Sequence, residues 1–215
     1  MESSQPWAID YFEEKFIKPD PWKYFTSPFE QTKYQRQLDI VNDRYPDPQK
    51  ILEIGGAEGA QTLLLAGQFP KAKIISVEIS SHAFRRAKDN LKQYADRIDL
   101  VNADIVEYRA RLEANCYDVV LWCESIYYLG GRLPLTDIYD LLGGIMSKLK
   151  AGGLLIMANT VNLPEAIPES AVTIRPLIDC YYVILSSLTA PVSKSTYVEE
   201  KLGKMYEYQI WVFKK

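Results

Sequence analysis

Histidine is nearly absent from the 215-residue chain: His82 is the only one, and there are just three cysteines, Cys116, Cys123 and Cys180. These residues are not spaced as zinc ligands are, and an odd number of cysteines without paired spacing reads as reduced thiols, so no metal site is expected. The basic residues form no stripe or arm on a chain of net charge -3, so nucleic acid is not an expected partner. Apolar runs such as Leu154 to Ala158 fall far short of the roughly 20 residues that span a bilayer, which argues against a membrane partner. The opening MESSQPWAIDYFEEKF lacks a basic start followed by an apolar stretch, so a secretory leader is not expected and the expected location is the cytoplasm. Nor is there an internal repeat or low-complexity tract.

What the chain does have is 47 % hydrophobic and 25 % charged residues, the balance of one globular core with an arm attached. Ser27, Pro28 and Glu30 predict a capped helix start with a capping box, and Tyr34, Leu38, Val41 and Tyr45 mark the apolar face of that helix up to Pro46. Apolar strands are expected at Lys50–Ile54, Ile74–Ile79, Ile98–Asn102, Tyr117–Trp122 and Leu154–Ala158, the last entered through a turn at Gly152-Gly153. Helices are expected around 62–69, 81–94 and 135–149. Continuous apolar strands alternating with amphipathic helices specify a parallel sheet covered on both faces. A loop from Asn159 to Pro176, a helix from about Pro176 to Ser187, and two strands joined across Lys201-Leu202-Gly203 complete the chain as an antiparallel hairpin. The expected organisation is an N-terminal arm and capping helix over residues 1–45, then one α/β core over 46–215 whose loop and helix at 160–190 face the substrate.

Between the first strand and its helix runs Glu53-Ile54-Gly55-Gly56-Ala57-Glu58-Gly59. Glycines at such a turn let backbone amides approach a ligand. Later strand ends add acids at the same rim: Glu78, placed to bond ribose hydroxyls, Asp104, placed to accept from an adenine amine, and Glu124. Ligands of open sheets bind at that rim, so the ordered set predicts a nucleoside cofactor.

The segment from 50 to 159 resembles class I S-adenosylmethionine-dependent methyltransferases, through the Glu53–Gly59 motif, Glu78, Asp104, Tyr117-Asp118-Val119-Val120 and Leu149-Lys150-Ala151-Gly152-Gly153-Leu154-Leu155. The resemblance implies a single-domain Rossmann-like sheet of seven strands with S-adenosylmethionine as cofactor. It also implies that the glycine loop meets the methionine end and ribose, that Glu78 grips the ribose, and that Asp104 with Ile105 holds adenine. Asp20-Pro21-Trp22-Lys23-Tyr24-Phe25-Thr26-Ser27-Pro28-Phe29-Glu30, continuing into Lys33-Tyr34, together with Glu124-Ser125-Ile126-Tyr127-Tyr128-Leu129, is similar to the NodS-like methyltransferases, whose namesake N-methylates a glucosamine-containing chitooligosaccharide. The family's basic, Thr-Gly-Asp-rich segment after strand five is replaced here by Asn159-Thr160-Val161-Asn162-Leu163-Pro164-Glu165.

The expected cofactor residues are Trp22, Lys33, Glu53, Gly55, Gly56, Ala57, Gly59, Glu78, Ile79, Asp104, Ile105 and Glu124. The expected catalytic or substrate-facing residues are Glu124, Tyr127, Tyr128 and Asn159. Lys33 or Arg36 is a candidate cation for the cofactor carboxylate. Trp7, Trp22 and Tyr24 suit a hydrophobic lid, and Tyr11, Tyr127, Tyr128, Tyr181 and Tyr182 an aromatic acceptor pocket. His82 begins a helix away from the reacting methyl. The expected partner is a small-molecule acceptor, an amine or aminosugar among the choices, with oxygen as the alternative atom and a monomer or homodimer as the working unit. A non-catalytic adenosyl-binding module and a nicotinamide-dependent oxidoreductase are the rival classes.

Overall fold

A computed structural model of the chain describes residues 9–161, 168–201 and 203–215. Seven strands form one sheet in the order β3-β2-β1-β4-β5-β7-β6. They are β1 (Lys50–Ile54), β2 (Lys73–Glu78), β3 (Ile98–Asn102), β4 (Tyr117–Cys123), β5 (Leu149–Thr160), β6 (Pro191–Lys201) and β7 (Lys204–Lys214). The first five are parallel, and β7 runs antiparallel between β5 and β6. The order reverses beside β1, between β2 and β4, so the carboxyl ends of these strands open a crevice there.

Helices α1 (Ile9–Lys15), α2 (Pro28–Arg44), α3 (Ala60–Gln68), α4 (Ser81–Asn90), α5 (Ile105–Tyr108), α6 (Leu135–Lys148) and α7 (Pro168–Leu188) cover the sheet. Alternation along β4 divides the core. Val119 and Leu121 face a cluster that holds Leu38 and Val41 of α2 and Leu65 of α3, while Val120 and Trp122 face Ile138, Leu141 and Ile145 of α6 with Ile178 and Tyr181 of α7.

Several local expectations are corrected. Ser27 stands at the N-cap of α2 in extended geometry, but its side chain makes no capping bond. Glu30 pairs with Lys33 one turn along, in place of the expected box. Strand β5 starts at Leu149 and continues past Ala158 to Thr160. Gly152-Gly153 lies in a bulge within it, because β4 pairs Tyr117 with Leu149 and then Val119 with Leu154. A Cβ on Gly153 would come 3.1 Å from the carbonyl oxygens of both Tyr117 and Asp118, so a side chain there would require the backbones to move apart by a few tenths of an ångström. The helix expected over 81–94 ends as α4 at Asn90 and tightens into a 3-10 turn, Lys92–Tyr94. Helix α7 starts at Pro168, eight residues before the expected Pro176, which it carries internally on its exposed side, away from buried Ile174 and Ile178. Helix α1, the short α5 and a 3-10 turn at Ile126–Gly131 have no counterpart among the expected elements. Among the described residues no helix is long and apolar enough to cross a membrane.

Candidate active site

A cleft opens at the carboxyl ends of β1, β2, β3 and β4 and is roofed by the N-terminal arm and α2. Its floor includes Glu53, Gly55, Gly56, Ala57, Glu78, Ile79, Asp104, Ile105 and Glu124, and Trp22, Lys33 and Tyr128 also line it.

The glycine turn works by close approach more than by offering donors. The N–H groups of Gly55 and Gly56 both go to the Val77 carbonyl, at 2.8 and 3.2 Å, and that of Ala57 to Glu78 Oε2 at 2.8 Å. A Cβ on Gly56 would lie 2.0 Å from Ser76 Oγ, and one on Gly55 2.8 Å from Ser125 Oγ. Ala57 has φ +48°, and Gly59 φ +88°. A methyl is accepted at the first position at a cost of about 1–2 kcal/mol. Gly59, expected to hold cofactor, does not line the cleft; a Cβ there would strike Leu91 Cδ1 at 2.7 Å, so this glycine serves the packing of α3 against α4.

Glu53 on β1 is buried, with Oε2 accepting from Thr62 and from Ser76 Oγ at 2.7 Å. Its Oε1 is buried without a partner. Burial raises the Glu53 pKa, and the Thr62 and Ser76 hydroxyls work against the rise. Glu78 accepts from Ser80 N–H at 2.8 Å as well as from Ala57, yet burial lifts its pKa from 4.5 to about 7. The backbone donors offset only part of the burial effect.

Asp104 caps α5 through Val106 N–H at 2.9 Å, and its other oxygen pairs with Arg132, which comes just after the 3-10 turn beyond β4. Glu124 sits at φ +56°, an unfavourable backbone for a residue with a side chain. Its carboxylate accepts from Thr160 Oγ1 at 2.7 Å, Tyr127 Oη at 3.1 Å and Lys33 Nζ at 3.3 Å. Burial opposes the charge on Lys33, but the Glu30 and Glu124 carboxylates outweigh it and raise the ammonium pKa well above its ordinary value. The cleft thus has four acids facing two cations, Lys33 and Arg132, each cation already bonded to an acid.

An aromatic roof closes over this floor: Phe12, Phe16, Trp22, Tyr24 and Tyr34 line the cleft opposite Tyr128. Phe12 packs edge-on against Tyr128 at 4.8 Å, and Phe16 against Trp22 at 5.3 Å. Glu13 fastens the arm by accepting from Ser81 N–H at 2.8 Å and Ser80 Oγ at 3.0 Å at the start of α4. Arg86 fastens the next turn, bonding Glu58 and the Phe16 carbonyl, each at 2.6 Å.

Other expected positions lie elsewhere. Tyr127 is buried behind the wall as a support for Glu124. Asn159 is fully buried and does not line the cleft, because β5 runs on past it and its side chain falls on the face of Met157 and Val161. Its carboxamide has no partner. Arg36 points to Glu199 and the Tyr197 ring. Tyr181 is core, Tyr182 packs on Trp211, and Tyr11 flanks Tyr128 without lining the cleft. His82 Nδ1 meets Arg85 outside the cleft. Trp7 and residues 162–167 lie outside the described residues. Phe12, Phe16, Gln61, Ser125 and Arg132 line the cleft and are not among the residues expected from sequence; the edge-on aromatics had only helical spacing as a signal.

The reversed β7, the glycine turn after β1 and acids at the ends of β2 and β3 define the class I S-adenosylmethionine-dependent methyltransferase architecture. Residues 5–162 match the model of Nodulation protein S (NodS), and the chain belongs to that family. Carboxy-S-adenosyl-L-methionine synthase of Nautilia profundicola is 26 % identical over 159 residues, covering 72 % of this chain and 61 % of the relative. Nodulation protein S of Bradyrhizobium diazoefficiens is 29 % identical over 147 residues, covering 68 % and 66 %. The chain therefore spans less than two thirds of the length of these two relatives. The crystal structure of N-methyltransferase NodS from Bradyrhizobium japonicum WM9 in complex with S-adenosyl-L-homocysteine shares the fold, with a TM-score of 0.76 at 20 % identity over 96 % of this chain and 97 % of that one.

S-adenosylmethionine, the cofactor of the class, fits the donor set. The unpartnered Glu53 Oε1 suits an ammonium donor, Glu78 suits a diol, and the acidic floor suits a sulfonium. Among the described residues no group is arranged to hold a metal ion.

Proposed function

We propose that the protein transfers the methyl group of S-adenosylmethionine to a nitrogen of a small-molecule amine. When bound, the cofactor supplies a methyl on a positively charged sulfur, a good leaving group. What remains for the protein is to hold an acceptor in line, exclude water and receive a proton.

The observation that carries the choice of nitrogen is the scarcity of strong bases in the cleft. Burial raises the pKa of the Tyr24, Tyr34 and Tyr128 phenols, of Tyr127 behind them and of the Cys123 thiol, so none ionises near neutrality. Lys33 stays an ammonium. No carboxylate of the cleft is basic enough to take an alcohol's proton, whereas an amine is already nucleophilic once its ammonium form has lost a proton. Glu124, held by Thr160, Tyr127 and Lys33, is the carboxylate placed to orient the amine and pass its proton outward. The aromatic roof excludes water and favours a cationic or amphipathic acceptor. The structural relative from Bradyrhizobium japonicum, an N-methyltransferase, points the same way.

Incubation with isotopically labelled S-adenosylmethionine and panels of amines, aminosugars and phenols tests the reading by mass spectrometry. Transfer to an amine supports it, and transfer to hydroxyls alone overturns it. Glu124→Gln is expected to lower kcat by about 100-fold while changing cofactor affinity less than about threefold, in the range for loss of a positioned acid–base group.

A further inference from the structure

The geometry points to Arg132 as a positioning residue that makes the cleft select a 6-amino purine over a 6-oxo purine, by fixing the Asp104 carboxylate at the base end of the site. The inference rests on the reading of the cleft as an adenosylmethionine site. Asp104 comes just after β3 and Glu78 closes β2, the adjacent strand, so an acid placed for the ribose is flanked on the outer side by an acid placed for the base. Ile105 and Ala103, also lining the cleft, give that end the apolar walls a purine ring requires.

Both Asp104 oxygens are already engaged. Oδ1 accepts the Val106 N–H at 2.9 Å as the cap of α5, and Oδ2 takes the Arg132 guanidinium. The pair is largely shielded, with side-chain exposures of 10 % for Asp104 and 20 % for Arg132. Arg132 comes from a different part of the chain, at the end of the Ile126–Gly131 turn, where its own N–H bonds the Leu129 carbonyl at 2.9 Å. A cap bond alone leaves the carboxylate room to rotate about its Cβ–Cγ bond; a second donor on the other oxygen removes that rotation.

The chemical consequence is selectivity. An anionic carboxylate with both oxygens bonded to donors has only lone pairs left to offer. Those accept the N–H of an exocyclic amine and repel the oxygen of a 6-oxo group. Sites built to bond a particular polar group can reject the mismatched analogue by factors of up to about 10,000 or more, because buried groups are then left unpaired. Without Arg132 the carboxylate can turn away and hydrate, and the difference shrinks. Lysine restores the charge without the planar fork, so it recovers only part of the effect.

Calorimetric titration of S-adenosylhomocysteine and S-inosylhomocysteine into the full chain tests this. The wild type is expected to favour the adenosyl ligand by about 100-fold or more, Arg132→Gln to bring the ratio below about tenfold, and Arg132→Lys to fall between, in line with loss of one polar mismatch. Asp104→Asn, which puts an N–H at the same edge, should move the preference toward the inosyl ligand. A merely structural role for Arg132 would weaken both ligands by one factor, and an unchanged ratio in the Gln and Lys variants overturns the inference. If the wild type binds neither ligand, the adenosyl reading itself fails and this inference with it.

Discussion

Glu78 shows how a single residue can set the conditions under which the cleft works. Its carboxyl is buried, accepts from backbone N–H groups including those of Ala57 and Ser80, and still has its pKa lifted from 4.5 to about 7. The folded chain therefore holds a proton on Glu78 that the unfolded chain gives up in that interval. Stability from this group is present below about pH 4.5 and declines as the pH rises through about 7. If Glu78 holds the ribose diol as proposed, ligand binding is expected to have the opposite dependence, since diol hydroxyls donate to the anion. Affinity for S-adenosylhomocysteine should be about tenfold weaker at pH 6 than at pH 8 and level off above, as expected for one group that must lose a proton. Calorimetry across that range checks it, and Glu78→Gln should flatten the profile; a wild-type profile that is already flat removes Glu78 from the ligand's contacts.

Helix α1, which sends Phe12 to the cleft, has no buried residue of its own and is held in place by Glu13 and by the aromatic contacts around it. Phe16, just beyond its end, is buried, and Phe12 reaches Tyr128 across the cleft. Burial opposes the charge on Glu13, but the Ser81, Ser80 and His82 donors at the start of α4 lower its pKa. The fastening consequently weakens as Glu13 becomes protonated in acid. Replacing it by alanine removes a cap-like interaction of about 1–1.4 kcal/mol, about 5–10-fold when arm docking is coupled to ligand binding. Glu13→Ala is expected to weaken cofactor binding by roughly 5–10-fold and to shift the melting temperature by less than about 2 °C, because no core contact is lost. Equal affinity of this variant and the wild type would mean that the arm docks independently of the ligand.

Across the whole molecule, the cleft and a buried carboxylate network lie at opposite ends of the sheet. At the amino ends, buried Asp118 of β4 accepts from Gln49 and Lys50 N–H, both at 2.8 Å, from Tyr45 Oη at 2.8 Å and from Lys150 Nζ at 2.7 Å. It thus joins the end of α2, the entry to β1 and the bulge of β5. Burial opposes its charge, but the Lys150 ammonium and the other donors lower its pKa, so its stabilising contribution is present at neutral pH and lost as the pH falls through that lowered value. Asp118→Ala should destabilise the protein by about 3 kcal/mol, since several buried donors lose one acceptor. Urea denaturation measures this. Cofactor affinity should change less than about twofold, because the cleft lies a strand's length away; a matching loss of affinity would show that the two ends are coupled.

The succession of strands and helices, and the end of the sheet that carries the acids, were legible in the residues themselves. Lys50–Ile54 falls where expected because a short apolar run between polar breaks is buried in the centre of a parallel sheet, and Ile98–Asn102, at the edge, keeps the same bounds with only Ile98 buried. The acids after them were found because a parallel sheet puts its binding rim at strand ends. What the sequence could not decide was which side of a strand or turn faces the cleft. Tyr127 and Tyr128 are neighbours, yet only Tyr128 lines it, and Asn159 was lost to the core when β5 extended to Thr160. Local pattern also missed α1, which buries nothing of its own, and Arg132, whose partner Asp104 lies 28 residues away. Burial periodicity along the chain determined strands, helices and rim, because it depends on neighbours in sequence. The roof, the pairing of Arg132 with Asp104 and the raised pKa of Glu78 were decided only by the tertiary structure, because each depends on which distant groups exclude water from the same place.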